Sequence, residues 1–437
     1  MKKFVGGKFL VLLTIIVLAL AFSFSHRVTA KSISHQDLIA SYEGPQTCEK
    51  CHPGVTDDVL QSVHYRLKGP VSTIEGLSGE WGEINRECGL PGSIYKLNIG
   101  CKQCHIGNGT AVTDKPTAEE RASIDCLICH ATKYDYSKRS LAPAPGTPEG
   151  FRIPQDRSVE SAKSVGGKPT DAACFRCHKG PGGGDWWKRG INFSPDRDVH
   201  VAKGMTCVDC HKAEKHKFPN TSDPGGWAKE TTSRTLSCET CHATVKHKNP
   251  AVNNHSARIS CNVCHIPTIG GVLTRDFIHI VKNPKTGMYG PNVDPSDNTF
   301  STKPTYRFFN GMGTKEIEPV GSLNDPKSKI TAFKPLKTVT TRDATTKKLL
   351  FMNLGVLFKT GSVDQALAKG FEQKKQDYSG EWEPVTLTGY FLLSHDITKT
   401  KALTCGDCHT GKDYLNLRAL GYSEARVKQL TDGAYAK

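Results

Sequence analysis

The sequence predicts a mainly α-helical fold with much irregular loop, and three observations predict it. Cys-x-x-Cys-His recurs eight times in 437 residues, each copy a single short turn of backbone. Glycine (41) and proline (24) are plentiful, so loops must connect short elements. Strand-like patterning is confined to one stretch, Lys334–Leu354.

The first element is residues 1–30. Lys2, Lys3 and Lys8 precede an apolar run from Phe9 to Phe24 that only Thr14 and Ser23 interrupt, and Val28-Thr29-Ala30 offers small residues to a signal peptidase. The run is short for a bilayer span, which needs about 20 apolar residues. A cleaved export signal is the reading, with an uncleaved N-terminal anchor, and so membrane association, as its rival. Either places the remainder in the periplasm or another extracytoplasmic compartment. Asp57–Tyr65 reads as a short amphipathic helix that sets His64 on one face with Leu60. Leu141–Gly150 and Asn283–Asn298 read as loops from their Pro, Gly and Asn content. Thr338–Thr341 and Leu349–Met352 flank Arg342-Asp343 as a small β-hairpin. Val363–Lys374 and Ser423–Leu430 read as helices.

The motifs are Cys48–Cys51–His52, Cys101–Cys104–His105, Cys126–Cys129–His130, Cys174–Cys177–His178, Cys207–Cys210–His211, Cys238–Cys241–His242, Cys261–Cys264–His265 and Cys405–Cys408–His409. They take sixteen of the seventeen cysteines. This is the attachment pattern of c-type haem. Two thiols add to the vinyl groups and the adjacent histidine ligates the iron. Disulfides need no histidine after each pair, and zinc sites need none at that position. Eight covalently bound haem c groups then build much of the core, which explains a fold poor in aliphatic side chains. Seven motifs lie in a haem-dense region, residues 31–265. A haem-free insert spans 266–404, and residues 405–437 carry the eighth motif and a C-terminal helix.

The formal charge is +15, of which residues 1–30 supply four positive charges and no negative one. Haem propionates offset most of what remains, so the basic balance implies no nucleic-acid partner.

Low-spin haems take a second axial ligand, usually histidine or methionine. Of 17 histidines, eight are in motifs and His26 lies in the leader. The distal candidates are His64, His200, His216, His247, His255, His279 and His395. His35 is set aside because chain termini are often poorly ordered. Seven candidates for eight irons leave one iron open to substrate. Alternatively His35, Met205, Met288, Met312 or Met352 completes the set and the protein is an electron-transfer conduit with every iron hexacoordinate.

Beyond the motifs, several stretches resemble one family. They are Gly100–Gly109 with Asp125–His130, Gly182-Gly183-Gly184-Asp185 with Lys188, Gly190 and Asp198-Val199-His200, His255–Thr268, and Ser394-His395 with Lys401–Cys405 and Leu420-Gly421-Tyr422. Together they resemble the octahaem tetrathionate reductase family of c-type cytochromes, which is related to the hydroxylamine oxidoreductase-like octahaem proteins. The resemblance implies a multihaem cytochrome c fold with seven histidine-pair haems. The remaining haem, on Cys101, Cys104 and His105, would be the active site, with a displaceable lysine. Lys168 is the matching lysine, with Lys163 and Lys188 as alternatives. Lysine ligates only when deprotonated, which burial beside a metal favours. Cys88, the seventeenth cysteine, would lie near that haem, either shaping substrate binding or as a buried inert thiol.

The expected activity is a multihaem oxidoreductase that reduces a small anionic or neutral sulfur or nitrogen compound, of the tetrathionate, nitrite or hydroxylamine reductase type. Hydroxylamine oxidation is the reverse possibility. Electrons would come from a membrane quinol dehydrogenase or a small cytochrome c.

Overall fold

The computed structural model describes residues 34–433, apart from 67, 77, 83–104, 108–111, 140–141, 144–150, 153–154, 179–193, 221–229, 231, 244–245, 271–272, 285–286 and 296–301. Cys88, Cys101, Cys104, Lys188 and the 182–185 glycine run therefore lie outside the described residues, as does the leader.

Regular structure is short, as the glycine and proline content dictates. The longest described helix, Val363–Lys374, has 12 residues. It coincides with the expected element, as the C-terminal helix Glu424–Thr431 nearly does. The expected Asp57–Tyr65 helix is instead two, Val55–Leu60 and Val63–Arg66. Ser62 is the cause. Its hydroxyl donates to the Val59 carbonyl at 2.7 Å and accepts from the Tyr65 N–H at 3.4 Å. A serine that bonds backbone on both sides ends one helix and starts the next. None of the described helices is long and apolar enough to cross a membrane.

The sheet content exceeds the expectation. Two small antiparallel pairs, β1 (Lys68–Pro70) with β2 (Glu80–Gly82) and β3 (Ala142–Pro143) with β4 (Phe151–Arg152), flank the early motifs. The insert holds a mixed five-stranded sheet of β5 (Leu273–Lys282), β6 (Tyr289–Pro295), β7 (Thr305–Phe309), β8 (Lys329–Asp343) and β9 (Trp382–Leu392). β8 is its spine, antiparallel to β7 and β9 and parallel to β5. The first arm of the Lys334–Leu354 hairpin is thus the second part of one 15-residue strand. The chain does reverse after Asp343, where the Leu350 N–H donates to the Thr341 carbonyl at 3.1 Å. Leu349–Met352, however, adds only the bridge Arg342↔Leu349. β6 lies within the stretch read as loop. At the sheet's end it pairs with β5, where Pro and Gly are tolerated.

Two apolar clusters hold the insert. Phe277 of β5 packs with Leu350, Met352, Leu354, Leu357, Ala366 and Leu367 beneath the helices Leu354–Thr360 and Val363–Lys374. Tyr306, Phe308, Ile330 and Ala332 pack with Val263, Ile266, Leu393 and Val427, joining sheet, motif and C-terminal helix. In the motif-dense region the clusters are small. Leu127, Ile128, Ala131, Tyr134 and Ala162 form one, and Val59, Leu60, Tyr65 and Ile124 another.

A histidine-paired cofactor framework and the His105 site

Local sequence sets each described motif on a helical turn. Motifs are numbered here in chain order. The residue before the first cysteine is Ser, Thr or Asp in six of the eight, the residue types that cap helices. In motifs 5 and 8 the cap is reciprocal. The Thr206 N–H donates to the Asp209 carboxylate at 2.8 Å, and the Thr404 N–H to Asp407 at 2.6 Å. Ser237 and Thr240 do the same in motif 6. In motif 3 the Asp125 carboxylate accepts the Ile128 N–H at 3.1 Å. The caps stiffen the turn that holds two thiols on one side and presents the histidine on the other.

Seven motif histidines face a second imidazole. His52 faces His35 at 6.2 Å between ring centroids, His178 faces His64 at 6.2 Å, and His130 faces His216 at 6.2 Å. His242 faces His200 at 6.0 Å, His211 faces His395 at 6.3 Å, His265 faces His247 at 6.1 Å, and His409 faces His255 at 6.1 Å. The spacing has a simple chemical meaning. A ligating nitrogen sits about 1.1 Å from its ring centre and a metal–imidazole bond is about 2 Å long, so two trans ligands put their centroids about 6.2 Å apart. The rings are too far apart to stack and suitably spaced to hold one metal between them.

The outward nitrogens fit the same role. Nδ1 of His130, His211, His265 and His409 hydrogen-bonds to the carbonyls of Gly167 (2.7 Å), Pro219 (3.0 Å), Thr398 (2.9 Å) and Leu430 (2.5 Å). That fixes the tautomer and leaves Nε2 for a metal. Among the distal rings, Nδ1 of His247 is 3.3 Å from Asn253 Oδ1 and Nδ1 of His200 is 3.3 Å from Asp198 Oδ1.

Two placements differ from the sequence reading. His35 is not a loose end. It opens the helix His35–Leu38, capped by Ser34, and its ring meets His52. His279 stands exposed on β5 with its Nδ1 2.8 Å from Asp276 Oδ2, and none of the seven ring pairs includes it. Its strand belongs to the insert's sheet, which sequence had not extended so far.

Thiols of successive motifs approach one another. Cys48 hydrogen-bonds with Cys126, Cys174 with Cys207, and Cys238 with Cys261. Cys177 lies close enough to Cys129, Cys241 to Cys210 and Cys405 to Cys264 to raise, after burial, the titration of that thiol. Motifs 1, 3, 4, 5, 6, 7 and 8 thus form an unbroken series of neighbours.

His105 of motif 2 is different. It is buried at 3% exposure, its Nε2 lies 2.5 Å from the Tyr65 carbonyl, and the Tyr65 ring is 5.3 Å away. Gly107 permits this approach, since a Cβ there would sit 2.6 Å from the Tyr65 ring and 2.9 Å from His105. Ile106 packs against both clusters around motif 3, together with Cys126, Cys129 and Cys177. His105 therefore sits beside motif 3, and Tyr65, which covers it, adjoins His64, the ring that faces His178 of motif 4.

Buried charge surrounds it. Arg139 donates to the His105 carbonyl at 2.7 Å and to Asp125 Oδ2 at 2.8 Å, both side chains being wholly enclosed. The Tyr134 hydroxyl makes a very short hydrogen bond to Asp125 Oδ2. Burial raises the Asp125 carboxyl, and the charge of Arg139 and the donors of Tyr134 and Ile128 only partly offset it. On the other side, the Tyr65 hydroxyl donates to Glu120 Oε1 at 3.2 Å. Burial opposes ionisation of Glu120, but N–H and hydroxyl donors from Thr117, Thr113 and Tyr65 prevail and hold it at about 2. Tyr65, Glu120, Asp125 and Arg139 belong to no motif, and only Asp125, as a motif cap, left a sequence signal.

The structure places Lys168 elsewhere. It is exposed and follows Gly167, whose carbonyl holds His130. Its charge acts on Asp209 of motif 5. Among the described contacts none joins Lys168 to His105. Lys163 is half-buried at the end of the helix Val159–Lys163.

Comparison with known proteins agrees with this framework. Residues 193–266 match the family described as cytochrome c7 and related cytochrome c, and residues 298–412 that described as cytochrome c bacterial. An uncharacterized protein of Archaeoglobus fulgidus is 29% identical over 241 residues, covering 44% of this chain and 80% of that protein. The structure is similar to that of octaheme cytochrome c from Shewanella oneidensis, with a TM-score of 0.67 and 21% identity over 89% of this chain and 97% of that one. At that identity the likeness establishes the fold. The chain has the fold of a multihaem c-type cytochrome, with helices and loops around the motifs and a mixed sheet in the insert.

Proposed function

We propose that this multihaem c-type cytochrome carries eight haem c groups and is an exported oxidoreductase that reduces a small sulfur or nitrogen compound at motif 2. Tetrathionate, nitrite and hydroxylamine are the substrate class. One observation carries the reading: seven motif histidines each face an imidazole, whereas His105 meets Tyr65 inside a buried network of ionisable side chains. Haem held by the seven imidazole pairs would supply one-electron storage and transfer, and haem held by motif 2 would supply an iron open to a small ligand once His105 Nε2 leaves the Tyr65 carbonyl.

The chain's own residues supply the rest. Arg139, anchored on Asp125, holds the His105 backbone in place from one side. Tyr65 closes the other side and carries a phenolic proton whose acceptor is Glu120. Such second-layer contacts fix a ligand's orientation and basicity. Water is kept out by Val59, Leu60, Ile124 and Tyr65, all buried. Electrons would come from a membrane quinol dehydrogenase or a small cytochrome c after export through the N-terminal segment.

The test is an optical and EPR titration of the oxidised protein with nitrite, hydroxylamine and cyanide, followed by turnover with a reduced dye as donor. A perturbation confined to one haem in eight, with substrate-dependent dye oxidation, is expected. A second reading, an electron conduit with no substrate, draws support from the unbroken thiol series through motifs 1 and 3 to 8. Eight unresponsive low-spin haems would decide for the conduit and against the reductase.

A further inference from the structure

The seven imidazole pairs fall into groups by the angle between their planes. Four are nearly parallel: 27° at motif 1, 24° at motif 5, 24° at motif 7 and 21° at motif 8. Motif 6 is intermediate at 58°. The two most crossed are motif 3, His130 with His216, at 72°, and motif 4, His178 with His64, at 70°. These are the motif beside His105 and the motif whose distal ring adjoins Tyr65.

The crossing matters because each imidazole donates π density to the iron orbital that its plane selects. Parallel rings act on the same orbital, raise it, and so stabilise the hole of the ferric state. Crossed rings act on different orbitals, which stay close in energy, and the ferric state gains less. Two further observations point the same way. Nδ1 of His64 and of His216 is buried with no hydrogen-bond partner among the described residues, so neither distal ring gains the basicity that an Nδ1–H donor bond confers. Arg176, inside motif 4, lies across motif 3. It hydrogen-bonds to the carbonyl of Ile128, reaches that of Ala131 at 3.2 Å, and sits 5.1 Å over the Tyr134 ring. Its described partners are carbonyls and a π-face rather than a carboxylate, so a positive charge lies beside both motifs, and a nearby cation disfavours the more positive, oxidised state.

We propose that motifs 3 and 4 form a raised-potential pair, set by crossed axial imidazoles, unassisted distal histidines and Arg176, which holds two electrons beside motif 2. The proposal rests on the reading of the paired histidines as iron ligands and goes further than the reductase reading. Each centre of the pair takes one electron, ferric to ferrous, from an external one-electron donor, and two electrons are what cleavage of one S–S bond into two thiolate-type anions consumes.

The experiment is an EPR-monitored redox titration of the haem-loaded protein with dithionite and ferricyanide, in the absence of substrate. Near-degenerate orbitals leave orbital momentum unquenched, so crossed pairs give strongly anisotropic low-spin signals, distinct from the rhombic signals of the parallel pairs. The anisotropic signals should vanish first as the potential is lowered. In Arg176→Met they should move to lower potential while the rhombic signals stay, and Arg176→Lys should restore them. Rhombic signals that vanish first, or an Arg176→Met protein with unmoved anisotropic signals, would overturn the proposal. If Arg176→Met does not load haem, the wild-type order of reduction decides alone. A protein that shows the order but reduces no substrate refutes the reductase and leaves the pair standing.

Discussion

At the scale of single residues, the histidines carry the most information and are where sequence and structure part company. Nearness to the terminus argues against His35, and the structure exchanges its standing with that of His279. A histidine near a terminus becomes a fixed partner because Ser34 caps its helix and the helix turns it onto His52. A mid-chain histidine stays in solvent, held on Asp276 at the irregularity where β5 shifts register against β6. His35→Ala should convert about one-eighth of the haem iron from low-spin to ligand-exchangeable, while His279→Ala leaves all of it unchanged. Equal spectra for the two variants would undo the pairing scheme. The proximal half of every site was legible because the ligand is covalently adjacent to the thiols. The distal half was legible only as a pool of names, because long-range pairing has no local signal. Tyr65, Arg139 and Arg176 left no trace in the sequence at all. An enclosed arginine looks like any other until its surroundings are known.

At the scale of elements, short helices are placed by contacts at their ends. The helix Val63–Arg66 carries both His64 and Tyr65, and the N–H of its first residue donates to Glu230 Oε1 at 2.7 Å. Burial raises the Glu230 carboxyl from its ordinary 4.5 to about 7, against the opposing pull of the Val63 N–H, Lys217, the Phe218 N–H and Arg66. The folded state thus binds this proton more tightly than the unfolded chain does. The stability it contributes is complete below pH 4.5 and is lost as pH rises through about 7. Glu230→Gln keeps a carbonyl acceptor for Val63 and cannot ionise. Its melting temperature should decline less than that of the parent between pH 4.5 and 7, and superimposable pH profiles would count against the assignment. The turn signals around the motifs and the helix Val363–Lys374 could be read directly, since capping and apolar periodicity are local. β6 and most of β8 could not, since the partners of β8 lie tens of residues away and the Pro, Gly and Asn content of β6 is that of a loop.

At the scale of the whole molecule, two kinds of interior meet. The insert has apolar clusters and a five-stranded sheet of its own. Among its described residues the motif-dense region has clusters of four and five buried residues, small against the conformational entropy of so long a chain. Its order must come from the groups that its cysteines and histidines hold. Replacing the sixteen motif cysteines by serine should therefore leave residues 34–265 open to limited proteolysis, with fragments of the sheet region persisting on a mass map. Uniform resistance along the chain would show that the polypeptide alone suffices.

Asn262 links these two interiors. It occupies one of the free positions inside motif 7, yet its side-chain amide donates to the carbonyls of Ala332 at 3.1 Å and Leu393 at 2.9 Å and accepts the Ala332 N–H at 3.2 Å. The neighbouring Val263 and Ile266 are sealed in the same cluster. Cys261 and Cys264 themselves stay half-buried, so the seated sheet grips the turn between the thiols without sealing them. Closure of the insert thereby fixes the shape that the seventh attachment site must keep.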